Sequence, residues 1–328
     1  MPLPTSRDLH VDALLTNYAV AYGQENQDYA AFKGSTTVRV EKESDLYPIW
    51  DKGDMFRIEM EKRADGGKSE VGGFRMSTTS YFCHTYALKT QITKRQRNAA
   101  RNEFDIEKAK VRFLTQQAHM KREKIYATDI FATGKWTSNT EQTGKSASPS
   151  TNEFLQWNDS SSTPMKDIQD QMETIHTSTG KVPNIGVTSL AVANVLRRHA
   201  DFTDLHKYTA GGRISLKTVA EDLGLDDIVV GLGVENTANE QATDSMANIF
   251  GKHFLLLHVA ASAGTEPENA TAITGFAWNE FDGVDENSVA ITQWWDDETK
   301  SDWYEAEQAF DMKITANDLG LFFKDAVA

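Results

Sequence analysis

The chain has 328 residues, 39% of them hydrophobic, with 34 basic and 48 acidic side chains and a formal net charge of −14. That is enough apolar material for a real core and, at about 150 residues per domain, for two domains, which excludes extensive disorder. The longest apolar run, Phe254–Leu257 with Val259 and Ala260, falls far short of the ~20 residues of a membrane helix. No basic-then-apolar leader opens the chain, and the lone Cys83 leaves no partner for an internal disulfide or a multi-thiolate zinc site, so a reducing cytoplasm is the expected folding compartment.

Residues 1–34 scatter Leu14, Leu15, Tyr18, Tyr22, Tyr29 and Phe32 without a sustained period, the mark of an arm that lies against another surface. Segments 36–60 and 74–88 are β-rich, with Val38, Val40, Tyr47, Trp50, Phe56, Ile58 and Met60 in the first and Phe74, Met76, Tyr81, Phe82, Tyr86 and Leu88 in the second. Between them, 63–73 holds Gly66, Gly67, Gly72 and Gly73, so the whole reads as a long hairpin with a glycine-rich tip. Two strands alone are marginal in water, and their aromatics therefore call for a partner surface. From 103 to 131, Phe104, Val111, Leu114, Ala118, Ile125 and Ile130 recur at helical spacing behind Asn102 as N-cap, a rod of about 43 Å. Residues 132–163 are rich in Ser, Thr, Asn, Gly and Gln and read as a long loop with Trp136, Phe154 and Trp157 as islands.

Pro164 suits the first turn of a helix that should stop at Gly180. A strand at 185–188, helices at 191–198 and 215–223, and strands at 228–230 and 254–259 follow, and 273–314 is strand-like with broken alternation near Trp303, Glu305, Glu307 and Phe310. Charge is segregated: 89–124 carries eleven basic and four acidic side chains, whereas 221–311 carries twenty acidic and two basic ones. Such asymmetry suits either a nucleic-acid stripe or complementary surfaces that meet within or between copies, and the acidic total argues against nucleic-acid recognition as the main role.

Local catalytic signals are weak. Gly144-Lys145-Ser146 imitates the end of a phosphate loop, but Asn139 stands where its first glycine belongs. Gly231-Leu232-Gly233 follows a strand, yet Asn236 occupies the third glycine position of a dinucleotide turn. Glu173 with His176, and His119 with Glu123, have ligand-like helical spacing and are expected as solvated surface pairs. His253 and His258 flank an apolar strand, and no hydrolase constellation surrounds Cys83.

In order, Asp12-Ala13-Leu14-Leu15-Thr16-Asn17-Tyr18 through Tyr22, Lys42-Glu43-Ser44-Asp45-Leu46-Tyr47, Lys52-Gly53-Asp54-Met55-Phe56-Arg57, and the aromatics Tyr81 and Tyr86 form the first half of a pattern. Trp157 with Pro164 and Asp167-Ile168, Thr179-Gly180 before Pro183-Asn184, Val230-Gly231 before Asn236-Thr237-Ala238, and Leu319-Gly320-Leu321-Phe322-Phe323-Lys324-Asp325 complete it. Over nearly the whole chain this resembles the major capsid proteins of tailed bacteriophages, whose shell-forming fold is shared with herpesviruses. Ala200 stands where that pattern has proline.

The resemblance implies an α+β phage capsid fold: an N-terminal arm (1–40), an extended β-hairpin loop (41–92), a peripheral domain with a long spine helix (93–164 and 293–328) and an axial α/β domain (165–292). It implies a structural virion protein without catalytic site, metal or cofactor. Such a protein assembles with itself as hexamers and pentamers in an icosahedral shell around double-stranded DNA, within the host bacterial cytoplasm and without a membrane. With no long helical N-terminal extension, a separate scaffolding protein is implied, together with a portal. Contacts between copies are expected at Tyr18, Tyr22, Tyr47, Trp50, Phe56 and Tyr81 and at the cationic Arg63, Lys68, Arg95, Arg97 and Arg101. The alternatives are the shell of a bacterial encapsulin-type nanocompartment and, in a different class, a cytoplasmic α/β enzyme built on 165–292.

Overall fold

The computed structural model describes residues 29–50, 52–63, 65–99, 106–137, 139–207, 214–261, 269–278 and 289–328. Tyr18, Tyr22, Arg101 and the expected cap Asn102 lie outside the described residues. The strands in chain order are β1 (Thr36–Val40), β2 (Ser44–Trp50), β3 (Met76–Phe82), β4 (His84–Thr93), β5 (Glu141–Lys145), β6 (Glu153–Leu155), β7 (Ile185–Ser189) and β8 (Asp227–Gly231). They continue as β9 (Val234–Asn236), β10 (Met246–Asn248), β11 (Phe254–Leu257), β12 (Ile273–Trp278), β13 (Ala290–Asp296), β14 (Ser301–Ile314) and β15 (Gly320–Lys324).

Six strands in the order β6-β5-β15-β11-β7-β8 form the central sheet, which is buried on both faces. Its strand β11 shows why the sequence there is an unbroken apolar run: Leu255 and Leu257 enter one core while Phe254 and Leu256 enter the other. The first core lies between this sheet and the long helix Ile106–Asp129, around Tyr126, Phe131, Trp136, Phe310 and Phe322. The second packs Trp157, Ile168, Ile175, Leu196, Phe202 and Leu223 from the flanking segments onto Phe254 and Phe323.

The helices there start and stop on their sequence signals. Pro164–Thr179 has its proline in the first turn and ends at Gly180 in the left-handed region (φ 68°), and Leu216–Leu223 is capped by the Ser215 hydroxyl accepting from the Thr218 N–H at 3.2 Å. At the departure from the capsid pattern, Ala200 opens the one-turn helix Ala200–Thr203, where His199 Nδ1 accepts from the Asp201 N–H.

The second sheet is organised by β14. One edge of this 14-residue strand pairs with β4 along Ser301–Phe310, while the other pairs first with β13 and then with β12, which in turn carries β1 in parallel. A strand shared among three neighbours and roofed by the long helix has little reason to keep strict alternation, which explains the broken pattern near Trp303–Phe310.

Three expectations change. Residues 132–163 are not a plain loop: β5 and β6 sit in the central sheet and Trp136, Phe154 and Trp157 are buried. The expected hairpin is paired only between β2 and β3, because β4 leaves at His84 for the second sheet. Finally, hydrogen-bond ladders cross the expected boundaries: β5, β6 and β15 share the sheet of β7, β8 and β11, and β12 belongs with β14.

Candidate inter-subunit surface

The β2–β3 hairpin has a buried root and an exposed far end. At the root, Tyr81 is 5% exposed, stacks on Phe276 with ring centroids 4.5 Å apart, and donates from its hydroxyl to the Lys42 carbonyl. Tyr47 is half-buried against the same Phe276 ring, and Cys83 completes this small core with Val38, Val40 and Trp278. Burial pushes the Cys83 thiol up to about 11, so it is not a nucleophile near neutral pH. Tyr81, expected on a contact between copies, is thus consumed within its own chain, because β3 reaches β12 before the hairpin departs.

Beyond Trp50, whose backbone closes the hairpin opposite Met76, the one-turn helix Lys52–Met55 forms a neck. Asp54 accepts two hydrogen bonds from the Arg75 guanidinium, at 2.8 and 3.2 Å, and these hold its carboxyl below the usual range. Lys52 pairs with Asp318, and the Phe56 ring lies over Gly180, where a Cβ would come within 3.3 Å of it. The neck is therefore tied to the body on both sides.

The segments 57–63 and 68–75 have no ladder partner among the described residues. Here Ile58 is 94% exposed and Met60 and Val71 are each 95% exposed, with Phe56, Phe74 and Met76 more than half exposed. Burying each such side chain gains roughly 1.5–3 kcal/mol, so this stretch is a strong unspent surface. Arg63 donates to the Ser69 hydroxyl at 3.2 Å, and Lys68 is exposed. Reading aromatics alone misses Ile58, Met60 and Val71 as contact candidates, although the alternation of Ile58 and Met60 with Arg57, Glu59 and Glu61 is visible in the sequence.

A second exposed surface is β13, at the margin of its sheet, with Ile291, Trp294 and Trp295 exposed. Trp294 stacks on Trp303, and the Lys89 ammonium lies over the Trp303 ring, 5.0 Å from its centroid. The acidic turn Asp296-Asp297-Glu298 follows it. Nearby, the basic block proves only partly available. Arg97 is bound inside the chain, 2.6 Å from Glu107 and 2.5 Å from Asp302, Lys124 pairs with Glu235, and Arg122 is buried, whereas Lys94 and Arg95 are exposed. Arg97 thus neutralises part of the acidic block within one chain.

The ligand-like motifs have structural roles. Gly144 lies in β5, where a Cβ would strike the Asp325 carbonyl, and Lys145 pairs with Glu153. Gly231 ends β8 beneath the Phe250 ring, and Glu173 and His176 are exposed on one helix. His253 Nδ1 accepts from the Asp325 N–H, and His258 Nδ1 sits 2.7 Å from the Val182 carbonyl. His119 and Glu123 are not the surface pair the spacing suggested, since both are buried on the inner side of the long helix. Among the described residues no group of three His, Cys, Asp or Glu could hold a metal ion, and no helix is long and apolar enough to cross a membrane.

No family model matches the chain. It is 25% identical to the major capsid protein of Burkholderia phage BcepMu over 260 residues, 77% of this chain and 78% of that protein. It is 26% identical to the major capsid protein of Pseudomonas phage JBD67 over 176 residues, 53% of each. Among solved structures it is similar to a phage-related protein from Bordetella bronchiseptica RB50, with a TM-score of 0.70, 19% identity, and 96% and 97% of the two chains covered. It is also similar to the capsid of Cyanophage P-SCSP1u (TM-score 0.56, 11% identity, 88% and 86% covered) and to the holo-SrpI encapsulin of Synechococcus elongatus PCC 7942 (TM-score 0.55, 9% identity, 92% and 89% covered). The chain has the α+β fold of phage capsid proteins.

Proposed function

We propose that the chain is a major capsid protein of a tailed bacteriophage, a structural and non-enzymatic subunit that assembles with copies of itself into the head. The observation that carries this reading is the similarity to a named phage major capsid protein over more than three quarters of the chain. The fold by itself fits an encapsulin shell about as well, with TM-scores of 0.55 and 0.56, but both curated relatives are phage capsid proteins, which favours the virion. An enzyme on 165–292 has no such support.

In this reading the copies form hexamers and pentamers around double-stranded DNA held without sequence specificity, assembled in the bacterial cytoplasm with a separate scaffolding protein and a portal. Residues 41–82 act as the extended loop, and the exposed Phe56, Ile58, Met60 and Val71, with Arg63 and Lys68, meet neighbouring copies. Exposed Arg95 lies at a rim, while Tyr47 and Tyr81 brace the loop from below. A shell subunit needs such an element, because an apolar segment that cannot be covered by its own chain is covered in the lattice.

Electron microscopy of the chain expressed alone and with its neighbouring genes tests this. Rings, sheets or closed shells are expected, and genome-filled particles in the second case. A species of 36.6 kDa at every concentration would overturn it, and shells enclosing an enzyme would turn the reading to a nanocompartment.

A further inference from the structure

The inner side of the long helix carries a row of polar groups at one-turn spacing, His119, Arg122, Glu123 and Tyr126, of which Glu123 is 0% and Arg122 1% exposed. Position for position, the segment 29–34 lies on that row. Tyr29 and Phe32 place their rings 4.9 and 5.6 Å from His119, and Phe32 also lies under the Arg122 guanidinium at 4.2 Å. The Ala30 and Ala31 amides face the Glu123 carboxylate, and Gly34 lies against the Tyr126 hydroxyl, where a Cβ would come within 2.5 Å.

Little of this polarity is satisfied. Arg122 donates to the Thr37 hydroxyl at 3.0 Å, but its Nε and second amino group, His119 Nδ1, both Glu123 oxygens, the Tyr126 hydroxyl and Gln308 Oε1 have no hydrogen-bond partner among the described residues. Ala30 and Ala31 join the apolar core, but Tyr29, Phe32 and Gly34 each cover a polar group of the row, so docking combines burial with desolvation.

We propose that residues 29–34, the root of the N-terminal arm, form a detachable latch on the long helix, and that ionisation of Glu123 loosens it. Detachment rehydrates the Glu123 carboxylate and the His119 ring, at the cost of the apolar contacts of Ala30, Ala31 and Phe32, the Phe32–Arg122 contact and the Lys33–Asp227 pair. The groups facing Glu123 are Arg122 and Tyr126 on its own helix and Tyr29 on the root, with His119 one turn away and Lys33 engaged by Asp227.

Burial, only partly offset by the Ala31 and Ala30 amides and by Arg122, holds the docked Glu123 at about 7 against an ordinary 4.5. The docked state therefore binds more protons between those values, so docking weakens as pH rises from about 4.5 to 7 and levels off above. His119 opposes it: burial and Arg122 depress its pKa, so docking weakens as pH falls below its ordinary 6.5. The latch thus has two counteracting titrations, each of which a single substitution exposes.

The test is hydrogen exchange of the Lys33 and Gly34 amides, which bond to Tyr29 and Ala30, in the full chain. Comparing Glu123→Gln with wild type at one pH cancels intrinsic exchange rates and His119. The substitution should increase protection about tenfold at pH 5.5 and on the order of a hundredfold at pH 7.5, with amides 112–118 of the long helix unchanged. No gain, an equal gain at both values, or a parallel change along the helix would overturn the proposal. His119→Gln provides an independent arm: its root protection, corrected for intrinsic rates, should fall roughly twentyfold from pH 5.5 to 7.5, and a flat profile would overturn the proposal as well. Neither result depends on whether the chain builds a shell.

Discussion

Phe276 on β12 lies face to face with Tyr81 on β3, the ring planes 9° apart, and this pair anchors an element whose far end finds no cover in its own chain. Removing the Tyr81 ring should open a cavity at the anchor. Tyr81→Ala is expected to cost about 3 kcal/mol in urea unfolding, whereas Phe56→Ala, at a half-exposed ring, should cost under about 1 kcal/mol. Equal losses would mean that the β2–β3 ladder, rather than the aromatic root, secures the hairpin.

The exposed end should behave oppositely. Ile58→Ser, Met60→Ser and Val71→Ser combined remove apolar surface that contributes nothing inside one chain, so unfolding should shift by no more than about 0.5 kcal/mol per site. Particle yield, counted by sedimentation, should fall sharply. Normal yield would assign these residues no role in assembly.

Arg95 and Arg97 are two positions apart and should separate stability from association. Arg97→Glu places like charge beside Glu107 and Asp302 and should destabilise the subunit by about 1 kcal/mol, since Arg97 and Glu107 are exposed and only Asp302 is buried. Arg95→Glu should leave thermal unfolding unchanged and slow assembly at low salt. At 1 M salt, where the Debye length is about 3 Å rather than about 8 Å, that difference should largely vanish. Identical kinetics at low salt would remove electrostatic steering at Arg95.

Cys83 offers a probe of the junction between β3 and β4. Buried beside Asp311, with its thiol at about 11, it should stay unreactive towards a thiol reagent at pH 8 in the native chain and react fully on unfolding. Fast native labelling would reveal local opening of that junction.

Elements with their own local signals were legible in advance. Pro164 and Gly180 bracket a helix, Ser215 opens another, and Phe254–Leu257 is apolar enough to be a doubly buried strand. By contrast, β5 reads Glu141-Gln142-Thr143-Gly144-Lys145, with no apolar residue, because its place is set by pairing with β15 at the far end of the chain. The surface was half legible for a similar reason. Aromatic content marked the hairpin but could not tell Tyr81, which meets Phe276 nearly two hundred residues away, from Phe56, which is largely exposed. Likewise His119 and Glu123 looked solvated by spacing alone, since nothing local announces that 29–34 covers them.

β14 carries a mechanical consequence. A pull on the β13–β14 turn directed along the strand axis loads the β4 ladder from Ser301 to Phe310 in shear, so its hydrogen bonds share the force rather than breaking one after another. The same force applied across the strand would peel the sheet from its margin at β13. Within one subunit, β14 is therefore strongest against tension along its own axis and weakest against tension across it.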